Sequence, residues 1–104
     1  MVKHRTFKII WDVNALNDFV EILEFLSKKG NQAPRIVKQG ILPRLEVIRK
    51  NAFICETDKL KDTQDREFRA FVVYSYRITY QIKSSLNEIR VIRVRHTSRE
   101  PLGY

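Results

Sequence analysis

The last third of the chain gathers the residue types that metal-free phosphodiester chemistry needs. Such chemistry requires a base to take a hydroxyl proton, an acid to protonate the leaving oxygen, and cations to hold the charge that builds on phosphorus. Arg77 supplies a planar guanidinium that can grip a phosphate with two N–H groups. His96 supplies an imidazole, a side chain that exchanges protons near neutral pH. Tyr104 supplies a phenol close in sequence to several arginines. Arg69, Arg93, Arg95 and Arg99 lie around them along the chain and could hold a polyanionic backbone. The same residues suit a plainer reading: arginines lying over apolar neighbours with their heads in water, a non-catalytic histidine and an aromatic surface anchor. No carboxylate pair marks a magnesium site, and Cys55, His4 and His96 are too few ligands for a metal cluster. No metal and no cofactor is expected.

Charge points the same way. The chain carries 20 Lys and Arg against 12 Asp and Glu, a net +8. Residues 66–104 hold eight basic and three acidic residues, a net +5, and seven of the eight are arginine. A surface of this kind serves solubility, or it meets a polyanion: nucleic acid or an acidic protein. At 104 residues and 43% hydrophobic, residues 1–104 make one domain with one core. The opening residues do not read as a secretory signal, no apolar run is long enough to cross a membrane, and a lone cysteine forms no internal disulfide. A cytoplasmic protein without membrane contact is expected.

These side chains must be positioned by a scaffold, and the hydrophobic periodicity outlines one. "KHRTFKII", residues 3–10, alternates as a strand. Asp12 or Asn14 can cap a helix over 14–29, in which Leu16, Phe19, Val20, Leu23 and Leu26 form a stripe that Ile22 and Phe25 widen, so a broad buried face is expected. "KKG" at 28–30 ends it. A second helix begins near Asn31 with Pro34 in its first turn, and Pro43, three residues after Gly40, predicts a kink or two shorter helices. Periodicity is lost over 51–65, which holds four acidic and two basic residues. Three strands follow: "REFRAFVV", "YRITYQI" and, after the connection "SSLNE", "IRVIRVRH". The order β-α-α-β-β-β predicts an α+β fold, with an antiparallel sheet packed against an N-terminal helical hairpin. On the face turned away from the helices, Arg69, Arg77, Arg93 and Arg95 are expected side by side, ending at His96.

The segment "EFRAFVVYSYRITYQI", the strand after it and the ending "RVRHTSREPLGY" resemble the C-terminal half of the RelE/ParE toxins of bacterial toxin–antitoxin modules. The helical hairpin and the length agree, so the likeness spans the chain. The resemblance implies a small sheet with two helices and a cognate antitoxin protein as partner. It also implies one of two activities. RelE-like and YoeB-like members cut messenger RNA in the ribosome, which would make the ribosome and mRNA partners; ParE-like members inhibit DNA gyrase. Carried over from the ribonucleases, Arg77 matches the arginine that contacts the scissile phosphate, His96 and Tyr104 match a C-terminal histidine and tyrosine in type, and Glu56 matches a loop glutamate that acts as base. The strand before "YR" carries Phe68, Arg69 and Ala70, with none of the lysines that RelE itself uses. Ribosome-dependent mRNA cleavage is the leading expectation, and gyrase inhibition the alternative.

Overall fold

Asp12 starts the first helix: its backbone is extended and its carboxylate accepts the Asn14 N–H at 2.9 Å, satisfying one of the free donors of the first turn. In the computed structural model, which describes residues 6–52 and 67–99, this helix is α1, Val13–Ser27. Strand β1, Lys8–Trp11, precedes it. Gly30, at φ +146°, makes the turn that a side chain would strain, and α2, Gln32–Lys50, runs back. Strands β2 (Glu67–Val73), β3 (Tyr76–Lys83) and β4 (Glu88–His96) complete a four-stranded sheet in the order β1-β4-β3-β2. Glu56, Tyr104, Cys55, His4 and the start of the expected first strand lie outside the described residues.

The α+β class stands, with one refinement. β2, β3 and β4 form the expected antiparallel meander, but β1 pairs with β4 in parallel, so the sheet is mixed. The meander leaves one edge of β4 free. β1 fills its first half, with Ile9 opposite Ile89 and Trp11 opposite Val91, and both Ile9 and Trp11 pack against the core.

One face of β3 is fully buried, as its alternation requires. Tyr76, Ile78, Tyr80 and Ile82 are each at most 8% exposed and meet Val37, Ile41, Leu45 and Ile48 of α2 in one core. The Tyr80 hydroxyl, inside that core, donates to the Ala52 carbonyl at 2.9 Å.

Two helix expectations are corrected. α1 buries only Ala15 and Phe19 fully; Val13, Leu16, Val20 and Phe25 are exposed, because a single helix on a sheet covers one stripe and its flanks stay outside. α2 is one continuous helix through Pro43. Pro43 and Gln39, whose carbonyl loses its bond at that turn, are both exposed, so water can take the missing donor's place. Gly40 has a different reason to be small: a Cβ there would lie 2.7 Å from Val73 Cγ1 and 2.8 Å from Tyr74 Cε2. Alanine at Gly40 gains about 1 kcal/mol of helix propensity, and the overlap should outweigh it. Gly40→Ala is expected to lower stability by about 1–2 kcal/mol net, read as a lower midpoint in urea at an unchanged slope.

Candidate functional site

The β3–β4 pairing decides which candidate side chains share a face. Arg77 stands directly opposite Arg95, with parity opposed to the helix-facing Tyr76 and Ile78, and Thr79 stands opposite Arg93, whose side chain reaches Asp18 of α1. Tyr76 stands opposite His96 on the helix face. Between them the register shifts: Thr79 pairs with Arg93 but Tyr80 with Val91, which leaves Ile92 as an extra residue in β4. This bulge explains why the buried positions of β4 change step, from Ile89 and Val91 to Val94.

The register corrects the expected basic face in three ways. Arg69 pairs with Tyr80, so it lies on the helix side of β2, opposite in parity to Arg77, and bonds Glu67 at 3.2 Å. Alternation alone had placed it with Arg77; the pairing set by the tight β2–β3 turn places it one step out of phase. His96 lies on the helix face as well, its ring edge-on to Tyr76 at 5.3 Å between centroids. The third correction concerns exposure: Phe68 and Thr79, on the face away from the helices, are buried at 2% and 1% exposure, so its centre is not bare to solvent.

Arg93 is taken up by a partner that spacing did not reveal. Its Nε donates to Asp18 Oδ2 at 2.9 Å and its second nitrogen to Asp18 Oδ1 at 3.1 Å, and the Val94 backbone N–H donates to Oδ2 at 3.0 Å. Along the first half of β4 this edge is closed by β1, ending where Asp12 N–H donates to the Val91 carbonyl. Beyond that point the α1 carboxylate takes over. Asp18 therefore fixes the bulged end of β4, the segment that carries Arg95 and His96. The geometry is the bidentate fork that arginine alone can make.

Beside Asp18 a cleft of about 560 Å³ opens between α1 and the end of β4, lined by Asp18, Glu21, Tyr76, Arg93, Arg95, His96 and Ser98 among others. His96 Nδ1 accepts the Ser98 backbone N–H at 3.1 Å and lies 2.8 Å from the Ser98 hydroxyl. An Nδ1 that accepts leaves the neutral ring's proton on Nε2, so the ring is held as a donor toward its surroundings. The following turn, Thr97–Arg99, is tied to the hairpin by Thr97 N–H donating to the Ser75 carbonyl at 2.8 Å. That hairpin turn, Tyr74–Ser75, has positive φ at both residues, 49° and 68°, the twist that two-residue hairpins favour, but without the usual glycine or asparagine.

Arg77 and Arg95 stand face to face on adjacent strands, and neither is without a further partner. His96 is on the other side of the sheet from Arg77, while Arg95 and His96 both border the cleft beside α1. The register of the described residues thus places Arg77 and His96 on opposite faces of the sheet.

Comparison with known proteins agrees with this architecture. Residues 9–101 match the family described as ParE toxin of type II toxin-antitoxin system, parDE. The chain belongs to that family and is a type II toxin of the RelE/ParE superfamily. Among solved structures it is similar to a chromosomal ParDE system from P. aeruginosa, at a TM-score of 0.66 and 13% identity over 88% of this chain and 97% of that one. It is also similar to the archaeal RelE–RelB complex from Pyrococcus horikoshii (TM-score 0.63, 14% identity, 90% and 98% covered) and to the isolated E. coli RelE toxin (TM-score 0.55, 20% identity, 91% and 88% covered). These likenesses concern the fold. A comparison with curated protein sequences gave no match. Among the described residues no helix is long and apolar enough to cross a membrane.

Proposed function

We propose that this toxin acts by gripping a protein target, DNA gyrase, and not by cutting RNA, until a cognate antitoxin covers it. One observation carries the reading: Arg77 and His96 stand on opposite faces of the sheet. A general acid or base must come within hydrogen-bond reach of the atom it serves. Arg77 lies across the sheet from the imidazole, Arg95 alone of the two arginines borders the cleft that holds it, and the imidazole's Nδ1 lone pair is already engaged by Ser98. The basic pair is then a recognition surface for acidic groups of the target. The family match, to ParE toxins, supports the same choice.

A second reading rests on the Arg77–Arg95 pair itself, which suits an RNA phosphate as well as a carboxylate. In that reading Arg77 remains the phosphate ligand, while Glu56, His96 and Tyr104 would supply the proton transfers, and ribosome and mRNA replace gyrase as partners. Substitution of His96 separates the two. For a gyrase-binding toxin His96→Ala, which removes a ring from the cleft but no chemistry, should kill uninduced-antitoxin cells within about twofold of the parent. For a ribonuclease, loss of a proton-transfer group costs on the order of 100-fold or more in rate. Survival of cells expressing His96→Ala, with the folded protein present at parental level, would count against gyrase inhibition.

A further inference from the structure

The β2–β3 turn holds a residue that its geometry disfavours. Val73 pairs with Tyr76, which leaves Tyr74 and Ser75 as a two-residue loop with φ 49° and 68°. Such loops take glycine, asparagine or aspartate, because a Cβ crowds the backbone in the left-handed region. A bulky side chain there is strained, and nothing in the turn itself calls for an aromatic ring. Nor does burial offset the strain, since Tyr74 is 61% exposed. A strained aromatic residue left in water points away from a role in folding.

The turn is braced from two sides. The Ser75 carbonyl accepts the Thr97 N–H at 2.8 Å, which ties the turn to the end of β4. On the other side the Tyr74 ring rests on the backbone of Gly40, its Cε2 2.8 Å from where a Cβ would stand. The same end of the sheet carries a row of mixed character across three strands. Val72, 48% exposed, stands opposite Arg77, and Arg77 stands opposite Arg95. A ring already fixed in place loses little conformational freedom on binding. Tyrosine and arginine are also among the residue types that dominate interface energetics.

We propose that the Tyr74–Ser75 turn, with Val72 beside it, is the apolar anchor of the surface that grips the toxin's target. The proposal rests on the reading that the target is gyrase, and it adds the chemistry of the patch that is recognised. That patch is an apolar recess that takes the Tyr74 ring, rimmed by carboxylates that face the guanidinium groups of the row. Two arginines alone are drawn to any acidic surface; the ring and Val72 select which acidic surface is held. The turn keeps its strained aromatic residue because the ring is used outside the fold.

The test titrates the full toxin against purified DNA gyrase and, separately, against the protein encoded by the reading frame beside its gene. Tyr74→Asn with Ser75→Gly gives the turn its preferred residues, so Tm should hold or rise by a few degrees. Gyrase affinity should nevertheless fall by about tenfold or more. A turn that serves folding alone would show no such opposition of stability and binding. Tyr74→Phe keeps the ring and should stay within about threefold of the parent, and Val72→Ser should weaken binding by about fivefold. Affinity for the neighbouring protein should change by less than about twofold in every variant. Parental gyrase affinity in the folded double variant overturns the anchor while leaving the gyrase reading intact. So does a loss confined to the neighbouring protein, which would give the turn to the antitoxin. Should the double variant fail to fold, parental affinity in Val72→Ser overturns it instead. Absence of gyrase binding by the parent toxin overturns the gyrase reading, and the proposal with it.

Discussion

Replacing Asp18 by alanine should lower stability by about 2–3 kcal/mol, a fall in Tm of roughly 10–20 °C for a domain of this size. One carboxylate accepts three hydrogen bonds, two from Arg93 and one from the Val94 backbone. The pair is largely covered, with the Arg93 and Asp18 side chains 21% and 17% exposed, so water replaces the lost acceptor poorly. The free edge of β4 then has neither β1 nor α1 against it. Asp18→Asn keeps an acceptor oxygen and loses the charge, and should fall about midway. Thermal unfolding measures the loss, and hydrogen exchange locates it: the Val94 amide should exchange as fast as a loop amide, while amides of β3 follow global unfolding. An alanine variant that melts with the parent would show that Asp18 holds nothing.

Glutamate at both Arg77 and Arg95 should abolish toxicity, with survival of induced cells rising by about two orders of magnitude or more, without unfolding the protein. The two side chains stand directly opposite one another, and neither is in the core. The single change Arg77→Glu is the more telling variant. It sets an opposite charge across from Arg95 and gives up the partner Arg77 already has, so Tm should stay within a few degrees of the parent while toxicity falls. A folded variant with unchanged killing would remove these arginines from the proposed target surface.

The elements were legible because period-two and helical patterns are strong in this chain. Tyr76, Ile78, Tyr80 and Ile82 alternate without a break, and all four are buried. Asp12 and Gly30 carry the cap and turn chemistry that their types announce. What alternation could not convey is register. Arg69 and Arg77 look equivalent on their own strands, and only the pairing through the Tyr74–Ser75 turn puts them on opposite faces. The same applies to His96, one residue from Arg95 and therefore on the other side. A signal for the bulge was present: Ile89 and Val91 are out of phase with Val94, and only an extra residue such as Ile92 lets all three face the core. Asp18 gave no such signal. It sits at the border of an apolar helix stripe, 75 residues from Arg93, and no local pattern links the two. Exposure of the α1 flank was also hidden, since periodicity tells which side of a helix is apolar and not how much of that side a sheet can cover.

Gyrase inhibition and message cleavage leave different lesions in the same cell. Antitoxin-free induction, followed at once by separate readings of chromosomal breaks and of mRNA 5′ ends, distinguishes them most directly. For a toxin whose Arg77 and His96 are separated by the sheet, double-strand breaks trapped on gyrase and an SOS response should appear while messages stay intact. Messages cut within translated codons, with unbroken DNA, would contradict the gyrase reading and return Arg77 and His96 to the roles of a ribonuclease.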